Sequence, residues 1–593
     1  MDNKFEWNLS TLYLGFNDEK FINDIEKLKK NLKQLKNFSN SIKNTNIPLE
    51  QIINKIEEYL AIENELGDTY TKLLSYSNLV LSTNSDNIKA LKYIDIIENL
   101  LSEISKIEPT IYKWLYSIKD NFEKIYNKSK IIEEHKYYIN NIIENHKYTL
   151  SEKEEEIISK FKITGSNTWE KLWETITSNH TVKIDNKDIP LAEIRNMAYS
   201  SDKNIRKKAY ECEIESYEKI SQISAYCLNS IKAQVINECD IRGYASPLSM
   251  TIKNSRIDEN ILNIIINSIK ENLCYFQKYF YKKAEILGYK DGLPFYELFA
   301  PINNVNIKFT YDEAMEIIIK NFHKFSNSLG EYAEKAYKNR WIDVYPKKGK
   351  RGGAFCDNIH SIKESRILTN FTGSFSDLIT LAHELGHGYH GQCLDNETFI
   401  NSDYPMPIAE TASTFCETII KNSILTELKY SDKDTTIMIL ENDLQDSSQI
   451  IVDILSRFIF EDQVFNKRKI SPLSSEEFCD IMIEAQNKTY GKGLNKNYQH
   501  KYMWICKPHY YDANYNYYNF PYAFGLLLSK GLYAIYENSK NTFPEIYTEF
   551  LRKTGRGDIE TVAKSVGIDI TKKDFWLSSL DIIKRDIEKF INI

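Results

Sequence analysis

The sequence lacks a basic excess. Among its 593 residues, 83 acidic side chains outnumber 76 lysines and arginines, and the formal net charge is −7. Nucleic-acid-binding proteins concentrate lysine and arginine on one face, so the composition predicts no DNA or RNA partner. The chain also has no Gly-x-x-x-x-Gly-Lys-Ser/Thr phosphate loop and no Gly-x-Ser-x-Gly nucleophile elbow. These absences argue against nucleotide chemistry and against a serine nucleophile.

Paired cysteines and long apolar runs are also missing. The 9 cysteines are scattered and form no Cys-x-x-Cys pair, a pattern typical of free thiols in a reducing compartment. The first residues contain no apolar segment of the kind found in signal peptides. The richest apolar stretches, 261–266 and 524–528, are far shorter than the about 20 residues that span a membrane. We therefore predict a cytoplasmic protein without a membrane partner, and leave its oligomeric state open.

Helical periodicity is what the sequence has in abundance. Apolar residues recur at spacings of three and four from Phe21 to Leu35, which predicts an amphipathic helix. Similar patterns follow at 53–66, 96–107 and 122–143. We predict a mainly α-helical fold with two domains. The first, helical throughout, covers residues 1–190 and ends in a turn at 186–190, and the second covers residues 191–593.

A small β-sheet is predicted in the middle of the chain. Residues 345–353 are rich in glycine and lysine and are expected to form a loop. Residues 354–357 and 365–371 have the composition of short strands. The sheet is therefore expected to lie beside the helix that follows it in the sequence.

That helix carries a His-Glu-x-x-His motif formed by His383, Glu384 and His387. We expect it to begin at Ser374, because Ser374 and Asp377 have the spacing of a capping box. Both histidines lie on one helical face, at i and i+4, where their imidazoles can reach one zinc ion. Glu384 lies beside that face and can accept a proton from water. Two histidines and a glutamate in this apolar helix would be costly to bury without a metal.

A catalytic zinc site also needs a third protein ligand and an open position. The metzincin continuation is excluded, because its third histidine position holds Cys393. Glu410, which follows His387 after 22 intervening residues, is the expected third ligand. Glu417 lies two turns further on the same face and is expected to hold a ligand histidine. His390 is expected to be a neighbour of the site, and the rival ligands in the intervening loop are Asp395, Glu397 and Asp403.

Together these motifs resemble the thimet oligopeptidase (M3) family of metallopeptidases, and most closely its oligoendopeptidase F branch. The resemblance rests on His383-Glu384-Leu385-Gly386-His387 with Glu410, and on the stretches RGGAFC (351–356), KPHYY (507–511) and YNFPYAFG (518–525). It implies a large helical zincin-like peptidase with a small β-sheet beside the active-site helix and a deep substrate channel. It also implies one zinc ion per chain and short, unfolded peptides as substrates.

The resemblance implies further roles outside the zinc motif. His509 and the tyrosines that follow it, Tyr518 and Tyr522, would stabilise the oxyanion that forms when water attacks a peptide carbonyl. The two tyrosines are four residues apart and are expected on one helical face; which of them acts stays open. A strand edge would pair with the substrate backbone, and its residues would be Gly352, Gly353, Ala354 and Phe355.

The sequence thus predicts a zinc-dependent oligoendopeptidase that hydrolyses internal bonds of short peptides, with Glu384 as general base. One alternative is a zinc carboxypeptidase or dipeptidyl carboxypeptidase of a related helical fold. Another is a non-catalytic peptide-binding homologue, against which the intact Glu384 argues. A third is a helical scaffold whose histidines only pack. The preferred residues around the cut bond cannot be predicted from the sequence.

Overall fold

The structure is a computed structural model that describes residues 4–42, 47–303, 305, 307–428 and 432–593. Helices account for 72% of the chain, which confirms the mainly α-helical prediction. The chain forms two compact units. Unit 1 comprises Met1–Lys147, Asn306–Ile424 and Ile535–Asp569, and unit 2 comprises Tyr148–Val305, Leu425–Ala534 and Ile570–Ile593. The domain boundary at residue 190 stays a prediction, because compactness alone does not define a folding domain.

The N-terminal part of unit 1 is a set of amphipathic helices around one apolar core. The stripe from Phe21 to Leu35 faces this core, as its spacing predicts. The stretch 122–143 forms three short helices instead of one, because Ser129 has an extended backbone and caps a new helix with its side chain. The helices are α1 (Glu19–Ser41), α2 (Leu49–Thr83), α3 (Ile88–Ser117), α4 (Phe122–Tyr126), α5 (Lys130–Glu134) and α6 (Lys136–Asn145).

Unit 2 begins with α7 (Glu152–Thr164) and α8 (Ser166–Asn179), and then contains an unpredicted β-hairpin. Its strands β1 (Thr181–Ile184) and β2 (Lys187–Pro190) pair antiparallel. Asp185 and Asn186 between them have φ of 49° and 62°, the conformation of a two-residue hairpin turn that Asp and Asn tolerate. The expectation that residues 1–190 are helical throughout is therefore wrong here, and residues 187–190 are a strand instead of a turn.

The remaining elements continue in chain order. Unit 2 has its own apolar core around Trp173, Phe478 and Trp504. Among the described residues, no helix has the length and apolar character needed to cross a membrane. The elements up to the sheet are α9 (Leu191–Asn196), α10 (Lys203–Tyr217), α11 (Ser221–Arg242), α12 (Pro247–Asn254), α13 (Glu259–Ile286), α14 (Tyr311–Phe325) and α15 (Asn327–Lys338).

The predicted small sheet lies in unit 1 and consists of β3 (Ile342–Asp343), β4 (Phe355–Ile359) and β5 (Glu364–Leu368). The strand order is β3-β5-β4, with β5 parallel to β3 and antiparallel to β4. Strand β4 starts one residue later and ends two residues later than expected, and β5 is shorter than expected because residues 369–371 lie outside it. Because β4 is at the edge of this sheet, one side of its backbone forms no hydrogen bonds with another strand of the sheet among the described residues.

Helices complete the chain after the sheet. A π-helical turn, Gln449–Asp453, separates two of them. The helices are α16 (Phe375–Cys393), α17 (Met406–Leu428), α18 (Lys433–Ser448), α19 (Ile454–Arg468), α20 (Ser475–Tyr490), α21 (Phe520–Asn538), α22 (Phe543–Arg552), α23 (Ile559–Ser565) and α24 (Lys573–Asn592).

Candidate metal centre

Helix α16 starts where its capping box predicts. Asp377 donates its backbone N–H to Ser374 Oγ at 3.1 Å, and the Asp377 carboxylate accepts the backbone N–H of Ser374 at 3.0 Å. The same carboxylate accepts both the N–H and the hydroxyl of Thr372. Because this cap fixes the first turn, it also sets the direction in which His383 and His387 leave the helix further on.

Three donor atoms from α16 and α17 meet at one point in unit 1. His383 Nε2 and His387 Nε2 are 3.1 Å apart, and Glu410 Oε2 lies 3.3 Å from the first and 3.5 Å from the second. Ligand atoms about 2.0–2.2 Å from a tetrahedral zinc ion are separated by about 3.3–3.6 Å. The residues predicted as ligands are therefore together, at the spacing that one zinc ion needs.

Each of the three donor residues is held by a second partner. Glu417 Oε1 lies 2.5 Å from His383 Nδ1, and His387 forms a hydrogen bond with the backbone of Ala409. Ser413 donates its hydroxyl to Glu410 Oε2 at 2.9 Å. With both Nδ1 atoms donating outward, the neutral rings turn their Nε2 lone pairs toward the carboxylate oxygen. Three converging lone pairs repel one another unless a cation lies between them, so the donor set fits a metal ion.

The electrostatics of the site favour one positive charge, at His383, since burial and the charge of His383 lower the pKa of His387 to about 4. Burial opposes protonation of His383, yet its hydrogen bonds to Glu410 and Glu417 raise its pKa well above the ordinary value. Burial likewise opposes ionisation of Glu410, but the neighbouring histidines and Ser413 outweigh it and lower its pKa to about 2. The carboxylates around His383 therefore stabilise a cation at this point, either a proton on Nε2 or, when the ring is neutral, a divalent ion bound by its lone pair.

Glu384 is buried beside the three donors but is not one of them. Burial is the largest effect on its carboxyl and raises its pKa to about 7, and the charges of Glu410 and Glu417 act in the same direction. A carboxylate of this kind can take up and release a proton near neutral pH. Glu384 thus lies next to the ligand face, and its role as general base stays a prediction.

Close packing of α16 on α17 brings the ligands together. Gly386, inside the motif, faces the backbone of α17: a Cβ atom at this position would lie 2.7 Å from both Ala412 O and Ser413 Cα. Any larger residue would hold the two helices further apart. On the other side, Asn358 of β4 donates to the carbonyl of His387 at 3.0 Å and ties the edge strand to the motif.

Only one of the four residues predicted as a strand edge lies in a strand. Phe355 is the first residue of β4, while Gly352, Gly353 and Ala354 precede it in a loop. Gly353 has φ of 77°, a left-handed conformation that favours glycine and turns the chain into the strand. Their role in substrate binding stays a prediction.

His390 and the rival carboxylates have other surroundings. His390 is fully buried, stacks on Tyr404 with ring centroids 4.0 Å apart and forms a 2.9 Å hydrogen bond with Thr554 Oγ1. Burial lowers its pKa to about 3, so it is a neutral packing residue. Glu397 is paired with Arg556. Within the described ranges, the donor atoms of His390, Asp395, Glu397 and Asp403 do not form a cluster with the two motif histidines at the spacing of metal ligands.

His509, Tyr518 and Tyr522 belong to unit 2, where they form a cluster of their own. The rings of His509 and Tyr518 are 5.8 Å apart, and the hydroxyls of Tyr518 and Tyr522 are separated by 3.0 Å. Helix α21 begins only at Phe520, so the expectation that both tyrosines lie on one helical face is wrong. Their hydroxyls meet nevertheless, and the chain turns just before Tyr518, where Tyr517 has φ of 52°.

Several supporting residues were missed by sequence reasoning. Ser413 is three residues after Glu410 on the same helical face, a spacing that could have revealed it. No local signal marks Asn358, nor Arg457, whose Nη1 donates to Oδ1 of Asn519 at 3.2 Å beside His509, because each acts on a residue from a distant part of the chain. Asn519 falls in a stretch that carries the family resemblance, but the sequence assigns it no partner.

Comparison with known proteins decides the family. The model of "Peptidase family M3" matches residues 196–582, and that of "Oligopeptidase F" matches residues 114–180. The chain belongs to peptidase family M3. Chromosomal oligoendopeptidase F of Lactococcus lactis subsp. cremoris is 25% identical to this M3 chain over 612 residues, which cover 99% of this chain and 97% of the relative.

Solved structures show the same fold. A crystal structure from Chlamydophila abortus matches with a TM-score of 0.83 at 21% identity, covering 100% of this chain and 98% of the other. Oligoendopeptidase-F from Enterococcus faecium matches with a TM-score of 0.67 at 18% identity, covering 96% and 98%. With the two family models and the Lactococcus relative, the M3 chain is a metallopeptidase of the oligoendopeptidase F branch, which confirms the resemblance stated from the motifs.

Proposed function

We propose that this M3 peptidase is a zinc-dependent oligoendopeptidase that hydrolyses internal bonds of short, unfolded peptides. The observation that carries the proposal is the meeting of His383 Nε2, His387 Nε2 and Glu410 Oε2 within 3.1–3.5 Å of one another. These two nitrogens and one oxygen would hold one zinc ion and leave a coordination position open. When bound, zinc polarises a carbonyl oxygen and acidifies water.

The residues around the donors have separate tasks in this proposal. Glu384, which is not one of the three donors, accepts a proton from the attacking water on its carboxylate and passes it to the leaving amine. Glu417 holds His383 through Nδ1, and Ser413 holds the carboxylate of Glu410. Both contacts keep the donor atoms aimed at one point and so reduce the reorganisation that binding of the metal requires.

The remaining roles follow from the family resemblance. His509 with one or both of Tyr518 and Tyr522 donates hydrogen bonds to the oxyanion; losing one such donor typically slows a reaction about 10²–10³-fold. The unpaired side of β4, with the loop of Gly352 and Gly353 leading into it, is where the substrate backbone would add as a strand. The free cysteines agree with a cytoplasmic location.

The test uses two quenched fluorescent peptides of the same short sequence, one blocked at both ends and one with a free C-terminus. An oligoendopeptidase cuts both, and mass spectrometry finds the same internal bond broken in each. A carboxypeptidase cuts only the free peptide and releases residues from its end, which would overturn the proposal. A peptide-binding homologue would shift peptide fluorescence anisotropy without producing fragments. The same sequence embedded in a folded protein should resist cleavage.

A further inference from the structure

His509 is a half-buried residue in the short turn Pro508–Tyr511. Its Nε2 lies 2.7 Å from Nδ2 of Asn519. Which of the two atoms donates depends on how the amide of Asn519 is oriented, since amide oxygen and nitrogen have nearly the same shape. The contacts on the other side of that amide therefore decide the state of the histidine.

Arg457 orients the amide. Its Nη1 lies 3.2 Å from Asn519 Oδ1, and a guanidinium group can only donate hydrogen bonds. The atom that faces it must be the amide oxygen, so the amide NH₂ group faces His509. Asn519 Nδ2 then donates and His509 Nε2 accepts. A ring nitrogen that accepts carries no proton, so a neutral His509 must carry its proton on Nδ1.

Arg457 is itself anchored. It forms an ion pair with Asp453 in which the two side chains are only 14% and 4% exposed. Asp453 also accepts a hydrogen bond from the hydroxyl of Tyr490 at 3.3 Å. It is the last residue of the π-helical turn before α19, a local geometry that is frequent at functional sites. Asp453, Arg457, Asn519 and His509 thus form one chain of contacts in which each link fixes the donor and acceptor of the next.

The charges around the ring keep it neutral. Burial is the largest effect, and with the positive Arg457, Lys232 and Lys507 it lowers the pKa of His509 to about 2. The anions of this region are already paired: Asp453 with Arg457, and Glu461 with Lys232. The ring therefore has one proton at neutral pH, and only the position of that proton remains to be fixed.

We propose that Asn519 and Arg457 are positioning residues that hold His509 in the tautomer protonated on Nδ1, which makes Nδ1–H the group it donates to substrate. Nδ1 forms no hydrogen bond with any described residue, so its N–H is available to a ligand. The tautomer follows from unit 2 alone. The donation to substrate deepens the proposed function and rests on it.

The tautomer is measured directly by ¹⁵N NMR of the full-length, zinc-loaded protein grown with histidine labelled only at Nδ1. The His509 signal is assigned as the one lost in His509→Asn. The expected signal is that of a protonated Nδ1 in a neutral ring at pH 7. A bare Nδ1, or a doubly protonated ring, would overturn the proposal. Because this readout needs no cleavage, an inactive wild type would refute the proposed function and leave the tautomer result standing.

The kinetic test replaces Asn519 by Asp, whose carboxylate can only accept and so draws the proton to Nε2 or protonates the ring. We expect kcat to fall about 100-fold, with KM changed less than about threefold and zinc content unchanged. The profile of kcat against pH should show one ionisation that is absent from the wild-type profile. Asn497→Asp, at an exposed position of the same unit, adds the same charge and should change none of these readouts. Wild-type kcat and pH profile in Asn519→Asp would contradict the proposal.

A second pair of variants covers the case in which Asn519→Asp fails to fold. In His509→Asn the side-chain amide nitrogen can take the place of Nδ1, whereas in His509→Gln it lies near the place of Nε2. The proposal predicts that the Asn variant keeps at least about tenfold more activity than the Gln variant. Equal activities, or a more active Gln variant, would overturn it. Zinc content is measured in both to show that unit 1 is unaffected.

Discussion

Gly386→Ala is the perturbation that tests most closely how the fold builds the metal centre. Gly386 lies between the two motif histidines, and its α-carbon faces the backbone of α17, the helix that supplies Glu410. The added Cβ would lie 2.7 Å from Ala412 O and from Ser413 Cα. Both neighbours belong to the backbone, so no side-chain rotation relieves the contact and one helix has to move.

The required movement can be estimated from the distances. An ordinary contact of a Cβ atom is about 3.4–4 Å, so α16 and α17 must separate by about 0.7 Å or more. Zinc–ligand distances tolerate only about 0.2 Å, so Glu410 can no longer reach the ion together with both histidines. Overpacking of this kind costs about 1–3 kcal/mol of stability, which the better helix propensity of alanine offsets by less than about 1 kcal/mol.

The assay measures zinc affinity by competition with a fluorescent chelator, together with the increase in the unfolding midpoint that zinc produces. We expect at least a tenfold weaker affinity for Gly386→Ala, which removes about 1.4 kcal/mol of zinc-dependent stabilisation per factor of ten. Gly531→Ala is the matched control, because its Cβ would lie 2.5 Å from Phe575 in a helix contact of unit 2. It should lose stability and keep its zinc affinity. Wild-type zinc affinity in Gly386→Ala would refute the reasoning.

Three further predictions concern other parts of the structure. Glu417→Gln should weaken zinc affinity about 10–100-fold by loosening the hold on His383; an unchanged affinity in chelator competition would contradict this role. Burial raises the pKa of Glu63 from 4.5 to about 7, so its contribution to stability is present below pH 4.5 and is lost as the pH rises through about 7. At pH 8 the free energy of unfolding of Glu63→Gln should therefore exceed that of wild type by up to about 3 kcal/mol, and this difference should shrink toward pH 4.5. Thermal unfolding measured across this pH range checks it, and a difference independent of pH would disprove the assignment. Glu461→Gln leaves the buried Lys232 without its 2.6 Å ion-pair partner and should cost about 3–5 kcal/mol in denaturant unfolding; a loss below about 1 kcal/mol would count against it.

Features that depend on local geometry were predictable from the sequence. The spacing of His383 and His387 places both rings on one face of any helix, and Ser374 with Asp377 marks where that helix begins. Glu410 and Glu417 share a face for the same reason. These predictions needed only the period of an α-helix, which holds whatever surrounds it.

Features that depend on distant residues or on single backbone angles were not predictable. The left-handed Asp185 and Asn186 turn a helical expectation into a hairpin, and the left-handed Tyr517 leaves Tyr518 outside α21. The contact of Arg457 with Asn519 joins residues 62 positions apart. Helical periodicity carries no information about such pairs, because they are set by tertiary packing.

The central claim is that Glu384 moves a proton beside a zinc ion held by His383, His387 and Glu410. The most direct measurement compares wild type and Glu384→Gln for zinc content and for cleavage of the doubly blocked peptide, in the same preparation. The account predicts about one zinc per chain in both proteins, and cleavage slower by several orders of magnitude in the variant. Absence of zinc from both proteins, or equal cleavage by both, would contradict it.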